Sequence, residues 1–413
     1  MSRRSLVIGH DGRRMAMMEK VGEQVAVVVD GKRGKPYDAL AGITFSPDSK
    51  QLAYKAKRDD KWCVVVDGKE GPFYDGISGR LAFDAAGNRL AYSGNRGEEW
   101  FVVIDGEEDG PFEHLGKGHI VFSRDGKRAG YVAADKDKYW AVIDGIAQRK
   151  YDGILSNTLG FGDEGRQFAY GAVDGDERVL VVSGKERERY RKLYEVFLSL
   201  GDARVGVLTK DEKGFFVVID GKEGPRFDSI PPETITLSPD GKGFTYVARK
   251  GEHYLVVRDG RVGKEYAKVT KPGFSPGGKH LAYSAKEGNR EFLVLDGVEG
   301  KRYDEIVDFL FSPDGKRMAL VAKQGTTPLM VVDGEEEPRL YTQIPLAQFS
   351  PDSRRFAYVG YRDRKMYVVV DGEEICIFDL VYSVDFDGDG HLYCLGYRDK
   401  AWVLYEEQNN AAE

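Results

Sequence analysis

The sequence predicts an all-β protein assembled from about eleven copies of one four-stranded antiparallel unit. Three markers support this prediction: a Phe-Ser-Pro-Asp-Gly turn, a Val-rich run that ends in Asp-Gly, and an aromatic residue usually followed by a carboxylate. They recur with a period of 37 to 39 residues, as from Asp30 to Asp67 and from Asp105 to Asp144. A fixed period of this size indicates a repeat architecture. The 51 glycines and 23 tyrosines among 413 residues suit short strands and tight turns.

The first marker predicts a tight turn between the first two strands, A and B, of each copy. Proline at its second position presets φ, and glycine takes the left-handed position that follows a type I turn. Well-preserved copies span 45–48, 237–241, 311–315 and 349–352, and weaker copies lie at 9–12, 83–84, 122–123, 161–162, 200–201, 274–275 and 386–387. Strand B follows as a Leu-Ala-Tyr segment whose small central residue suits close packing of another sheet.

The second and third markers define strands C and D. Strand C is the Val-rich run, and Asp-Gly is a strong signal for the hairpin turn that ends it. These runs end at Asp30, Asp67, Asp105, Asp144, Asp220, Asp259, Asp296, Asp333 and Asp371, with Ser183 in the weakest copy. Strand D ends at the aromatic residue, and the carboxylates that follow are Asp38, Asp75, Glu113, Asp152, Asp228, Asp304 and Asp379.

A four-stranded unit of this length cannot bury both of its faces, so neighbouring copies must stack face to face. Radial stacking of such sheets gives a β-propeller. We therefore expect a single large propeller of about eleven blades over residues 5–407, with an incomplete last blade and short tails at 1–4 and 408–413. The alternative is two rings of five and six blades, with a break near 183–204, where the repeat fades.

The Ser-Pro-Asp-Gly-Lys, Leu-Ala-Tyr and Val-Val-Val-Asp-Gly series resembles the TolB-type, WD-repeat-like β-propeller family over almost the whole chain. The resemblance is specific for the fold and carries little functional information. Members of that family serve as protein-binding platforms, as periplasmic accessory proteins, or as gating domains attached to peptidases. Because the repeats cover almost the whole chain, we expect no room for an attached catalytic domain.

Composition and charge narrow the function classes further. The net charge of −7 argues against a dedicated nucleic-acid binder, which normally has a basic excess. No apolar run reaches the roughly 18 residues that a membrane helix needs, so we expect no membrane insertion. We expect a cytoplasmic protein if the chain is complete, and a periplasmic or secreted one if a signal peptide was removed. Cys63, Cys376 and Cys394 lack the spacing of a disulfide framework or a zinc site.

The B–C loops are the predicted binding elements. In an antiparallel meander the A–B and C–D turns lie at one end of each blade, and the B–C and D–A connections lie at the other. The A–B and C–D turns are uniform, whereas we expect B–C loops of variable length and dense charge, and variable loops on a rigid scaffold commonly bind partners. The alternative is plain solvation of the hairpin tips. The candidate residues are Lys57, Arg58, Asp60, Arg96, Glu98, Glu99, Lys136, Lys138, Lys210, Lys213, Arg362 and Arg364.

The carboxylates after strand D admit two interpretations. They could form an anionic ring that attracts cations or basic peptides. Alternatively, each could accept backbone N–H groups in its own turn. Their regular placement favours this structural role.

A calcium site is the one cofactor hypothesis that the sequence offers. Asp385, Asp387 and Asp389 match the opening of a calcium loop, with oxygen ligands at alternate positions and glycine for the turn. However, Tyr393 and Gly396 stand where a further carboxylate is wanted, and the segment coincides with an A–B turn of the repeat. Both interpretations stay open at this point.

Enzyme motifs are weak. Residues 273–277 match Gly-x-Ser-x-Gly, but they form an A–B turn rather than a strand-to-helix elbow. We therefore predict a non-enzymatic binding or scaffold propeller that holds a protein or peptide at the B–C and D–A end. The alternatives are a carbohydrate-active hydrolase or lyase with a carboxylate-lined central pocket, and a structural repeat protein.

Overall fold

The computed structural model describes residues 6–10, 12, 14–116, 120–162, 165–199, 204–338 and 340–407. This part of the chain consists of β-strands and their connecting turns, with a short 3-10 helix at Pro232–Thr234. No helix among these residues has the length and hydropathy that a membrane crossing requires. The predicted tails, the predicted turn at 200–201 and Asp11 of the first predicted turn lie outside the described residues.

The strands form eleven successive antiparallel sheets, which confirms an all-β propeller of eleven blades. Blades 1 to 4 comprise Leu6–Ile8, Met15–Val21, Gln24–Val29 and Lys32–Tyr37; Ala39–Phe45, Leu52–Arg58, Lys61–Val66 and Lys69–Tyr74; Gly76–Phe83, Leu90–Arg96, Glu99–Ile104 and Glu107–Phe112; and His114–Leu115 with Val121–Phe122, Ala129–Asp135, Lys138–Ile143 and Ile146–Ala147. Blades 5 to 8 comprise Gly153–Ile154 with Gly160–Gly162, Gln167–Asp174, Glu177–Val182 and Lys185–Tyr190; Leu193–Leu198, Val205–Asp211, Gly214–Ile219 and Lys222–Glu223; Thr236–Leu237, Phe244–Lys250, His253–Arg258 and Arg261–Val262; and Lys268–Val269 with Gly273–Phe274, Leu281–Glu287, Arg290–Leu295 and Val298–Tyr303. Blades 9 to 11 comprise Glu305–Phe311, Met318–Gln324, Thr327–Val332 and Glu335–Glu336; Gln343–Phe349, Phe356–Arg362, Lys365–Val370 and Glu373–Phe378; and Leu380–Phe386, Leu392–Arg398 and Ala401–Glu406.

Each sheet runs in the order A-B-C-D, as the repeat predicts. Strand A is interrupted in blades 4, 5 and 8, where two short segments pair with the same strand B. Blade 11 has three described strands, which confirms the prediction that the last blade is incomplete. Contacts divide the chain into two compact units: Met1–Glu212 with Val217–Glu223, and Lys213–Phe216 with Gly224–Glu413. The single domain over 5–407 stays a prediction.

The Asp-Gly hairpins show why the second marker is so regular. Asp30 and Gly31 both have positive φ, 48° and 78°, which is the conformation of a type I′ turn. One carboxylate oxygen of Asp30 accepts the backbone N–H of Met15 at 2.9 Å, at the start of strand B. The same bond recurs with Asp67, Asp105, Asp144, Asp220, Asp259, Asp296, Asp333 and Asp371. The aspartate therefore both permits the turn and anchors it to the neighbouring A–B turn.

The A–B turn is held by its buried serine. The Ser46 hydroxyl donates to Asp48 Oδ1 at 2.6 Å and accepts the backbone N–H of Gln51 at 3.0 Å. Ser123, Ser238, Ser312 and Ser350 make the same two bonds in their blades. In blade 3 a buried Asp84 replaces the serine and accepts from the Arg89 N–H at 2.8 Å.

An arginine before strand B connects consecutive blades, a contact that was not predicted from the sequence. The Arg14 guanidinium donates to Asp30 of its own blade at 3.0 Å and to the Ser49 carbonyl of the next blade at 3.0 Å. It also stacks over the Phe45 ring of that blade, 5.1 Å from the centroid. Arg89, Arg128, Arg317 and Arg355 repeat this arrangement. We call it the arginine clamp.

The core consists of successive interfaces between blades. Tyr74 at the end of blade 2 packs with Leu90, Tyr92 and Val103 of blade 3, and all four side chains are buried. Burial of one such side chain contributes about 1.5–3 kcal/mol. Gly94 allows this packing, because a Cβ there would lie 2.5 Å from Cγ of Tyr74. Close approach of the sheets therefore requires a very small residue at this position of strand B.

Candidate binding face

The candidate face is the end of each blade that carries the B–C and D–A connections. The B–C connections are uniform, contrary to the sequence-based expectation of variable loops. Each of the eleven is a two-residue turn, such as 59–60, 97–98 or 363–364. The expectation was wrong because the charged runs around these turns continue the strands: Arg58 still pairs with Lys61 in the B–C ladder. Variation at this end lies in the D–A connections.

Three of the predicted partner-binding arginines are already engaged within the fold. Arg58 makes a two-pronged ion pair with Glu70, at 3.0 and 3.1 Å, and stacks over the Phe73 ring at 4.9 Å. Arg96 makes an equivalent two-pronged pair with Glu108, at 3.0 Å for one bond, and Arg362 donates through a single nitrogen to Glu374 at 3.1 Å; both also stack on aromatic rings. Bidentate, stacked guanidinium groups are held strongly in place. These arginines therefore stabilise their blades in this structure.

The other predicted binding residues range from half-buried to exposed. Lys57 pairs with Asp60 at 2.8 Å, and Lys138 pairs with Asp152 at 2.6 Å. The solvent-exposed ones are Glu98, Glu99, Lys136, Lys213 and Arg364, whereas Lys210 is half-buried. The predicted residues are thus spread over separate blades, and their role in binding a partner stays a prediction.

The carboxylates after strand D each hold the B–C turn of the blade that follows. Asp152 accepts the Gly175 N–H at 2.8 Å, and Asp304 accepts the Gly325 N–H at 2.6 Å. Asp38, Asp75, Glu113, Asp228 and Asp379 make the corresponding bond. The bond to Lys138, followed by that to Gly175, lowers the pKa of Asp152. The acceptor role was expected, but the N–H group belongs to the next hairpin rather than to the carboxylate's own turn.

The three aspartates of the predicted calcium site do not lie together: Asp387 and Asp389 are close to each other, and Asp385 lies apart from them. Asp387 takes the place of the buried serine in the A–B turn, since its Oδ1 accepts the N–H groups of Asp389 and His391 at 2.9 and 2.8 Å. One ligand atom from each of these three residues falls within 4.8 Å of the others. Asp385 lies on strand A outside this group, and burial raises its pKa. An imidazole and two carboxylates fit a transition metal better than the all-oxygen shell of calcium. Calcium binding stays a prediction.

A cavity of about 320 Å³ opens at the candidate face between blades 8 and 9. It forms where strand A of blade 8 breaks between Lys268–Val269 and Gly273–Phe274. Pro272 has no N–H to donate to the ladder, so the strand cannot continue through it. The Thr270 hydroxyl replaces the missing partner by accepting the Ser284 N–H at 3.0 Å. Pro272 is the sequence signal that could have located the cavity, and the sequence-based predictions above do not include it.

Charged side chains line this cavity. Glu291 accepts the Ile306 N–H at 3.0 Å, and the Lys286 ammonium lies 3.6 Å from the same carboxylate. Asp304 is bound to the hairpin of the next blade, as described above. Lys268 is exposed, and it makes no ion pair within 4.0 Å among the residues that the structure describes. The cavity therefore presents one unpaired and one loosely paired ammonium group to solvent.

Comparison with known proteins finds only remote likenesses. No family profile and no curated protein matches the chain. Among solved structures it resembles a eukaryotic initiation factor, with 12% identity, 79% of this chain and 96% of that chain covered, and a TM-score of 0.44. It also resembles the Dos1 propeller (12% identity, 71% and 89% covered, TM-score 0.33) and a prolyl endopeptidase (12%, 71% and 54%, TM-score 0.34). Because these likenesses are remote and include an enzyme, they assign no activity. Membership of the TolB-type family stays a prediction.

Proposed function

We propose that this propeller is a non-enzymatic binding protein that holds a peptide segment of a partner at the B–C and D–A end of its blades. The observation that supports this is the cavity between blades 8 and 9, which lies at that end and has a size suited to one or two side chains. We further propose that the bound segment is acidic, because the free cationic group there is Lys268.

The charge arrangement favours an acidic ligand over a basic one. Arg290 pairs with Asp304 at 2.8 Å, and Lys323 pairs with Glu305 at 2.8 Å, so two of the cavity carboxylates are neutralised. A peptide carboxylate that meets Lys268 would gain a charge-assisted hydrogen bond without breaking any of these pairs. A cationic peptide would have to compete with the existing pairs.

The same pairing supports binding rather than hydrolysis at this cavity. A glycosidase needs one carboxyl group that gives up a proton and a second that acts as base or nucleophile. Asp304 is occupied by the Gly325 N–H and by Arg290, and Glu291 is occupied by the Ile306 N–H. Carboxylates held in this way make contacts that stabilise the fold.

The test uses fluorescein-labelled peptides of one length and either Glu-rich, Lys-rich or uncharged sequence, with fluorescence anisotropy as the readout. We expect the Glu-rich peptides to bind the wild-type protein and to bind Lys268→Glu at least about tenfold more weakly, as for loss of one charge-assisted bond. Lys279→Glu makes the same charge change in the A–B turn of the same blade, at the opposite end, and serves as the matched control. Absence of binding by the acidic peptides, or equal binding by Lys268→Glu, would contradict the proposal.

A further inference from the structure

Two of the three cysteines meet inside the last blade interface. Cys376 lies on strand D of blade 10, and Cys394 lies on strand B of blade 11. Their sulfur atoms are 3.6 Å apart. Cys394 is fully buried and Cys376 is 9% exposed, and both belong to one apolar cluster with Phe378 and Val384. The third cysteine, Cys63, is buried in a different cluster in blade 2.

The pair has the geometry of a dithiol that a small oxidant can connect. A disulfide has a sulfur–sulfur distance of about 2.05 Å, so the two sulfurs have to approach by about 1.5 Å for the bond to form. The thiolate is the reactive form of cysteine. A hydrogen bond from the Cys394 thiol, together with the positive charge of Arg398, lowers the pKa of Cys376. Cys376 is also the more accessible of the two.

We propose that Cys376 and Cys394 form a reversible oxidation site that takes a small peroxide and becomes a disulfide between blades 10 and 11. The Cys376 thiolate attacks one peroxide oxygen, the oxygen–oxygen bond breaks, and hydroxide leaves and is protonated to water. The Cys394 thiol then attacks the sulfur of the resulting sulfenic acid, the disulfide forms, and a second water leaves. Two thiols are oxidised and one hydrogen peroxide is reduced to two waters.

The position of the pair gives the oxidation a structural consequence. Blade 11 has no strand D among the described residues, so strand C at Ala401–Glu406 forms an outer edge. Its polar contacts with blade 10 include the ion pair between Arg355 and Glu407, at 2.5 and 3.0 Å. A covalent bond between the two blades would restrict the opening of blade 11 and stabilise it through the unfolded state. Oxidation should therefore tighten the least complete blade of the fold.

The experiment treats the reduced, full-length protein with excess hydrogen peroxide and compares it with the untreated protein. We expect the number of titratable thiols in denaturant to fall from three to one. A non-reduced peptide map should contain the Cys376–Cys394 crosslink. The melting temperature should rise by a few degrees, hydrogen exchange in Leu392–Arg398 should slow, and dithiothreitol should reverse all of these changes.

Variants identify the thiols involved. Cys63→Ser should behave like the wild type and lose both of its thiols on oxidation. Cys394→Ala should form no internal crosslink, and peroxide should leave its melting temperature unchanged. Any one of three outcomes would overturn the proposal. These are three thiols remaining in the treated wild type, a crosslink that includes Cys63, and a crosslink without slower hydrogen exchange in blade 11. The peptide map of the wild type decides the matter even if Cys394→Ala folds poorly.

Discussion

The Tyr37 hydroxyl of blade 1 donates a hydrogen bond to the Glu70 carboxylate of blade 2 at 2.9 Å. Arg58 and Lys35 also bind Glu70, at 3.0 and 2.7 Å, so one carboxylate gathers three donors from two blades. These donors, with Lys35 the strongest, lower the pKa of Glu70. The cluster recurs with Tyr266 and Glu299 at 3.1 Å and with Tyr341 and Glu374 at 2.8 Å. The third marker of the repeat therefore supplies both an apolar ring for the core and a polar contact between blades.

Replacing Tyr37 with Phe should lower the free energy of unfolding by about 1 kcal/mol, because one hydrogen bond is lost while the ring stays buried. Glu70 keeps its two cationic partners, so no charge is left unpaired. Urea denaturation followed by circular dichroism measures the change. The control Tyr382→Phe removes the hydroxyl of a tyrosine that is 47% exposed and should change stability by less than about 0.5 kcal/mol. Equal changes in the free energy of unfolding for the two substitutions would show that the hydrogen bond to Glu70 does not stabilise the fold.

Replacing Gly94 with Ala should be strongly destabilising, by about 1–3 kcal/mol or more, since the new methyl group overlaps the Tyr74 ring. Gly277→Ala is the matched control, because a Cβ at Gly277 meets no atom within 4 Å. Thermal and urea denaturation of both variants test the argument. A Gly94→Ala protein as stable as Gly277→Ala would mean that the blades do not approach as closely as described.

The arginine clamp predicts that Arg317→Ala costs about 1–2 kcal/mol of stability. Its guanidinium binds Asp333 at 2.8 Å and the Arg354 carbonyl at 2.7 Å, and it lies 5.2 Å from the centre of the Phe349 ring. Lys316→Ala removes a neighbouring cation whose side chain is 82% exposed, so it should have little effect. Differential scanning calorimetry compares the melting temperatures of the Arg317→Ala and Lys316→Ala variants. Similar melting temperatures would show that the arginine clamp does not stabilise the fold.

Acid should weaken the A–B turns in a defined pH range. The Ser312 hydroxyl and the Lys316 N–H bind Asp314 and lower its pKa from 3.8 to about 2. Because the carboxyl pKa is lower in the folded state than in the unfolded chain, its contribution is present above about pH 4 and is lost as the pH falls towards 2. Asp314→Asn should therefore reduce the difference in stability between about pH 5 and about pH 3. Urea denaturation at both pH values measures the free energy of unfolding from which this difference is taken. An unchanged pH dependence in the variant would contradict this assignment.

The chemistry of the repeat could be predicted because its markers act locally. Asp30 and Gly31 are adjacent, so their preference for a type I′ turn is independent of the rest of the chain. The strand order, the eleven blades and the incomplete last blade follow from the same short-range signals and from the need to cover both faces of each sheet. The sequence predicted that Asp152 accepts a backbone N–H group, but it did not identify Gly175 as the donor. The reason is that this hydrogen bond crosses from one blade to the next.

The all-β class, the period and the turn chemistry could be derived from the amino-acid sequence, because each depends on neighbouring residues and on alternation along single strands. The three-dimensional packing of the blades determines which charged residues are free. Arg58 is a loop-side cation in the sequence, yet it is bound to Glu70 on another strand, whereas Lys268 is left without an ion-pair partner among the described residues. It also decided that Cys376 and Cys394 meet, since two residues 18 positions apart on different blades come into contact only after the sheets stack.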